Sequence, residues 1–160
     1  MSAKIAVGGK APSFRLPHDG GGEVSLADFK GRKLVLYFYP KADTSGCTVE
    51  AKDFSRLAPA FARAGTAILG VSADPVPKQD KFKAKHGLSI TLASDESLEM
   101  LKAYGVWAEK SMYGRSYMGI LRNTYLIGPD GRIAGVWEKV RVAGHAEQVL
   151  ETAKKLRPAP

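Results

Sequence analysis

Leu34 to Tyr39 is an unbroken apolar and aromatic run, and Pro40 follows it directly. A strand that is apolar at every position must be covered on both faces, as a central strand is in a layered α/β fold. Pro40 has no N–H to give to a ladder, so the strand stops there. The next segment, Asp43-Thr44-Ser45-Gly46, is rich in residues that cap helix N-termini. A helix is therefore expected from about Cys47. Ala51, Phe54, Leu57, Ala58 and Phe61 recur on one face of it. Pro59 is expected to kink or interrupt that helix, and Gly65 suits the position just past its end.

The same alternation continues along the chain. Ala67 to Ser72 is a second buried strand. Pro77 opens a helix over Gln79 to Lys85, closed by Gly87. Ile90 to Ala93 is a strand, and Asp95 is a candidate cap for a helix through Tyr104, closed by Gly105. Ile120 to Ile127 and Arg132 to Trp137 form two strands around the Gly128-Pro129-Asp130-Gly131 turn. A last helix runs from about His145 to Leu156. Ahead of all this, Ser13 to Ser25 forms a short hairpin around Gly20-Gly21-Gly22, and Ser25 caps a brief helix through Phe29. The order predicts an α/β fold: a central mixed β-sheet with helices on both faces and an N-terminal β-hairpin. The 160 residues fit one domain, spanning 1–160.

Several function classes lose ground on composition. The net charge of +8 comes from 24 basic and 16 acidic residues. It is dispersed, with no block of five like charges, which fits a solvated basic surface better than a nucleic-acid footprint. No apolar run approaches the roughly 20 residues of a membrane helix. Met1 to Pro12 has no apolar core of a secretory signal, so the expected location is cytoplasmic. His18, His86 and His145 are isolated and have no metal-ligand spacing. No glycine-rich phosphate loop is present, so neither metal nor cofactor is expected. Trp107 and Trp137 are expected in the core or at its rim.

Cys47 is the single cysteine of the chain. A free cysteine is most often a small buried hydrophobe. Its position argues for more. The first N–H groups of a helix have no internal partners, and the helix dipole is positive there. Both favour a sulfur anion, the nucleophilic form.

The segment Pro40-x-x-x-Thr44-x-x-Cys47 resembles the active-site signature of the peroxiredoxins. Tyr37-Phe38-Tyr39-Pro40 and Cys47-Thr48-Val49-Glu50 resemble the bacterioferritin comigratory protein, or PrxQ, subgroup. The likeness continues in Gly70-Val71-Ser72-Ala73-Asp74 and in Phe82-x-x-Lys85-His86-Gly87-Leu88. Further on it continues in Gly119-Ile120-x-Arg122-x-Thr124-Tyr125-Leu126-Ile127 and Trp137-x-Lys139-Val140-x-Val142-x-Gly144-His145. It therefore covers the chain from about Gly8 to the last helix. The resemblance implies a thioredoxin-like fold and a thiol peroxidase that reduces hydrogen peroxide and organic hydroperoxides. Cys47 would attack the peroxide and become a sulfenic acid. Thr44 would orient the peroxide, Pro40 would shield the thiolate, and Arg122 would hold the thiolate and polarise the peroxide. Amides near Gly46 and Cys47 would complete a donor cage. Glu50, one turn beyond Cys47, is expected to pair with an arginine.

Two departures from the subgroup bear on mechanism. Where relatives carry a resolving cysteine, this chain has Lys52 or, in the later helix, Lys83. The sulfenic acid must then be resolved from outside, by thioredoxin, glutaredoxin or a small thiol, or by Cys47 of another subunit. Ser45 stands where proline is common, and Gly128 where aspartate is common. The subgroup tends toward monomers or weak homodimers. A thiol-based redox sensor or chaperone using the same cysteine is the alternative function, and a basic nucleic-acid-associated protein is a third.

Overall fold

The computed structural model describes residues 5–156. The start of the stretch expected to lack a leader, residues 1–4, lies outside them. A five-stranded mixed sheet forms the centre. Its strands are β3 (Lys33–Phe38), β4 (Thr66–Ser72), β5 (Thr91–Ser94), β8 (Thr124–Ile127) and β9 (Ile133–Trp137), in the order β5-β4-β3-β8-β9. β3 runs parallel to β4 and antiparallel to β8. A separate hairpin, β1 (Arg15–Pro17) with β2 (Glu23–Ser25), precedes the sheet and leads into a short 3-10 turn over Leu26–Phe29. A second separate hairpin pairs β6 (Trp107–Met112) with β7 (Arg115–Ile120).

Every residue of β3 is buried, as the apolar run from Leu34 requires, and Lys33 at its start is buried with its Nζ donating to the Ala153 carbonyl at 2.6 Å. Alternation along the strand divides the core in two. Leu34, Leu36 and Phe38 join a cluster with Leu16, Val24, Met100 and Leu101, contributed by the N-terminal hairpin and α3 (Glu99–Ala103). Val35, Tyr37 and Tyr39 face the other way, against Cys47, Ala51, Phe54 and Phe61 of α1 (Ser45–Arg63). Phe82 of α2 (Val76–His86) and Val149 and Leu150 of α4 (His145–Lys155) complete that layer. The expected α/β architecture, a thioredoxin-like mixed sheet with helices on both faces and an N-terminal hairpin, is the one observed.

Three local expectations are corrected. α1 begins at Ser45 and runs through Pro59 without interruption. Pro59 removes the hydrogen bond to the carbonyl four residues back. That carbonyl, on Ser55, instead accepts from the Ser89 hydroxyl at 3.4 Å. The helix expected from Asp95 is shorter, and Leu98 is its cap, in the left-handed region at φ 68°. Asp95 reaches in from outside, its carboxylate accepting from the Leu101 N–H at 2.9 Å. The expected single strand Ile120 to Ile127 is two strands. It breaks at 121–123, where the Leu121 N–H turns to the Val106 carbonyl and the Asn123 N–H to the Leu121 carbonyl. That break frees Arg122 from any ladder.

Among the described residues, no helix is long and apolar enough to cross a membrane.

Candidate active site

Thr44 caps α1, which places Cys47 third in the helix, within the turn whose N–H groups have no helical acceptor. The Thr44 hydroxyl does not cap those amides. It donates back to the Lys41 carbonyl at 2.8 Å, and the side chain is exposed. The first turn of α1 thus has no side-chain cap from Thr44, and Cys47 within it is 1% exposed.

Arg122 holds the sulfur from the other side. Its Nη2 donates to Cys47 Sγ at 3.3 Å, and its Nη1 donates to Glu50 Oε1 at 2.8 Å. Cys47 and Glu50 are one turn apart on α1, so one guanidinium spans both, which a fixed planar fork allows and a single ammonium does not. The backbone around Arg122 is pinned. Its carbonyl accepts from the Val140 N–H at 2.7 Å, and the Asn123 side chain receives the Lys139 N–H at 2.9 Å. Gly46 lets the fork come close, because a Cβ there would lie 3.2 Å from Arg122 Nη2.

The electrostatics of the trio are unequal. Burial pushes the Glu50 carboxyl up to about 7, against the opposing pull of the Arg122 charge. Burial also works against the Arg122 charge, but the Glu50 carboxylate and the Cys47 sulfur outweigh it and raise the guanidinium further. Glu50 Oε2 and the Tyr37 hydroxyl are buried and have no hydrogen-bond partner among the described residues. Tyr37 forms part of the layer behind Cys47, stacked on Phe54 with ring centroids 4.7 Å apart, and burial holds its hydroxyl well above the usual phenol range. His145, the first residue of α4, is also buried. Its Nε2 lies 2.8 Å from Thr124 Oγ1, and burial with the Arg122 charge lowers its imidazole to about 4.

A polar network not signalled by the sequence holds the loop that leads into α1. Asp74 Oδ2 accepts the Ser72 hydroxyl and the Ala42 N–H, each at 2.7 Å. Gln79 donates to Ser72 Oγ at 2.8 Å and receives the Tyr39 hydroxyl. Single polar residues at strand ends and helix starts read as solvated, and here they are buried. Asp43, at φ 62°, is clasped by Lys85 Nζ at 2.8 Å and His86 Nε2 at 2.7 Å. Pro40 sits half-buried at the head of this loop.

The structure therefore brings Cys47, Gly46, Glu50 and Arg122 into one cluster, with Pro40 on the adjoining loop and Thr44 at its outer edge. The two positions of a possible second thiol are otherwise occupied. Lys52 is exposed on α1, and Lys83 Nζ binds the Asp19 carboxylate at 2.7 Å. Among the described residues, no three His, Cys, Asp or Glu side chains are grouped to hold a metal ion.

Comparison with known proteins gives this arrangement a family. Residues 7–136 match the model of the AhpC/TSA family. The chain is 47% identical over 146 residues to a putative peroxiredoxin bcp of Coxiella burnetii, covering 91% of this chain and 97% of that one. It is 44% identical over 152 residues to peroxiredoxin Bcp of Bacillus subtilis, covering 95% and 97%. Among solved structures it resembles the Xanthomonas campestris bacterioferritin comigratory protein, described for its alkyl peroxide reduction activity. That match has a TM-score of 0.87 at 42% identity and covers 93% of this chain and 98% of that one. The chain belongs to the AhpC/TSA family and is a thiol-dependent peroxidase of the peroxiredoxin Bcp type, with a hydroperoxide as substrate and a thiol as reductant.

Proposed function

We propose that Cys47 is the peroxidatic cysteine and that it works through a one-cysteine cycle. The observation that carries this is the Arg122 fork, which touches Cys47 Sγ and Glu50 Oε1 at once. The thiolate attacks the terminal peroxide oxygen. An S–O bond forms as the O–O bond breaks, and the departing oxygen takes a proton and leaves as water or an alcohol. Charge moves from sulfur to the leaving oxygen. Arg122 is a fixed positive group beside that path, and the uncapped amides at Gly46 and Cys47 add donors. Thr44 orients the peroxide, for which its hydroxyl rotates away from the Lys41 carbonyl. Pro40 screens the sulfur from bulk water. Glu50 positions Arg122.

The sulfenic acid is resolved by an external thiol, since the chain offers no second one. Thioredoxin, glutaredoxin or a small thiol fills this role. The enzyme acts in the cytoplasm as one domain over 1–160, as a monomer or weak homodimer.

The test combines mass spectrometry with turnover. One equivalent of hydrogen peroxide should add a single oxygen to the reduced protein at Cys47. Excess dithiothreitol should then restore the thiol and sustain peroxide consumption. Sustained consumption by Cys47→Ser would refute the assignment.

A further inference from the structure

We propose that Glu50 holds a proton while Cys47 is a thiolate and gives it up to the leaving oxygen as Cys47 is oxidised. This rests on the peroxidase cycle above and names the source of the proton that the departing oxygen takes. Thiolate, hydroperoxide and neutral Glu50 carboxyl become sulfenic acid, water or an alcohol, and Glu50 carboxylate. An S–O bond forms, the O–O bond breaks, and the proton of the Glu50 carboxyl ends on the leaving oxygen. The net charge of the site is the same before and after.

Cys47 and Glu50 are each 1% exposed, and one guanidinium serves both, Nη2 at the sulfur and Nη1 at Oε1. Among the described residues, Arg122 is the one cation bonded to either. Two anions on one cation would leave a net negative charge buried away from water, which is costly. One anion leaves the cluster neutral, so Cys47 and Glu50 titrate as a unit with one proton between them. Position decides which of the two keeps it. Cys47 lies in the first turn of α1, where the helix dipole is positive, and Glu50 lies past that turn. Glu50 Oε2 is buried with no hydrogen-bond partner among the described residues, and an ionised carboxylate tolerates a bare oxygen worse than a neutral carboxyl does. The sulfur is therefore the anion of the reduced site. Burial, which pushes the Glu50 carboxyl up to about 7, acts in the same direction. Oxidation reverses the assignment, because a sulfenic acid carries no charge and the guanidinium is left with Glu50 alone to balance it.

The other ionisable groups around the cluster come from four elements. Tyr37 and Tyr39 of β3 are buried, and burial holds both phenols well above their usual range. His145 of α4 is buried, with its imidazole lowered to about 4, so it is neutral where Glu50 titrates. Asp53, further along α1, pairs with Arg56 at 3.6 Å, and its charge opposes a second one on Glu50. Half-buried Lys110 of β6 is a cation, and burial and the Arg122 charge both work against it. Among the described residues, none of these side chains bonds to Cys47 or Glu50.

The test is infrared difference spectroscopy of the full chain, reduced against oxidised by one equivalent of hydrogen peroxide, with isotope-labelled glutamate carboxyls. It is run at about pH 6, above the ordinary carboxylate range and below the Glu50 value. The C=O band of one neutral glutamate carboxyl should vanish and a carboxylate band should replace it. Both changes should be missing from Glu50→Gln, which keeps an oxygen for Arg122 Nη1 but has no proton to give. Stopped-flow oxidation of Cys47 should slow about 100-fold in this variant. The wild-type rate should fall as pH rises through about 7, and Glu50→Gln should lack that fall. An unchanged glutamate band in the wild type would overturn the proposal whether or not the variant folds. A slower Glu50→Gln with the wild-type pH profile would also overturn it, leaving Glu50 a structural partner of Arg122. Mass spectrometry of the same samples separates the two readings. An oxygen added at Cys47 without the carboxyl change would sink the proton transfer alone, and no added oxygen would sink the peroxidase reading with it.

Discussion

Glu50 and His145 are displaced in opposite directions by the same buried environment, and their effects on stability should nearly cancel until one is removed. The Glu50 carboxyl is pushed from 4.5 up to about 7. Between those values the native state keeps a proton that the unfolded chain has released, so stability from this group falls as pH rises. The His145 imidazole is lowered from 6.5 to about 4. Between those values the unfolded chain holds a proton the native state lacks, so stability from this group rises with pH. Each displacement is about 2.5 in pKa, worth roughly 3 kcal/mol at about 1.4 kcal/mol per unit. The windows overlap from 4.5 to 6.5, where the wild type should be flat with respect to these two groups. Urea unfolding of the reduced protein across pH 4 to 8, with Glu50→Gln and His145→Gln alongside, separates them. Wild type minus Glu50→Gln should fall by roughly 3 kcal/mol between pH 4.5 and 7, and wild type minus His145→Gln should rise by a similar amount between 4 and 6.5. Two flat difference curves would show that burial does not dominate these groups, and the electrostatic account of the site would fail.

Other perturbations reach the same structure by different routes. Gly46→Ala places a methyl 3.2 Å from Arg122 Nη2, and stopped-flow oxidation of Cys47 should slow about tenfold through a weakened charge-assisted hydrogen bond. Gly70→Ala puts a Cβ 2.7 Å from Tyr37 Cζ, and a urea titration should show an overpacking loss of about 1–3 kcal/mol. Asp74→Ala strips the acceptor from Ser72 and Ala42. It should cost about 1–3 kcal/mol and speed amide exchange at Ala42.

Much of the fold was legible because it follows from patterning. The apolar run Leu34 to Tyr39 required cover on both faces, and the cap-rich residues 43–46 announced α1. The sequence misled where one contact from afar overrode a local rule. Pro59 should break a helix, but Ser89 takes up the carbonyl it orphans. The β6–β7 hairpin escaped notice because its turn is Tyr113-Gly114, at φ 53° and 77°. Tyrosine is not a residue that advertises a left-handed turn, so Gly114 was the only signal. At the site, Cys47 stood out through its expected place at the start of α1 taken together with the Pro40-x-x-x-Thr44-x-x-Cys47 signature it resembles. Arg122 lies 75 residues away, and no spacing could bring it there. Resemblance supplied it, and the break at 121–123 is the physical means by which it reaches the sulfur. The Asp74 network had no sequence signal, because burial of a polar side chain is decided by what packs over it.

The proposed peroxidase requires that Arg122 make Cys47 fast toward peroxide. The most direct measurement is stopped-flow oxidation of the reduced protein by stoichiometric hydrogen peroxide, comparing the wild type with Arg122→Ala and using Cys47→Ser as control. The signal should vanish in Cys47→Ser. In Arg122→Ala the rate should drop by about 10- to 150-fold, as loss of a charged hydrogen bond worth about 1.5–3 kcal/mol requires. A wild type no faster than a free thiol, or an Arg122→Ala variant as fast as the wild type, would contradict it.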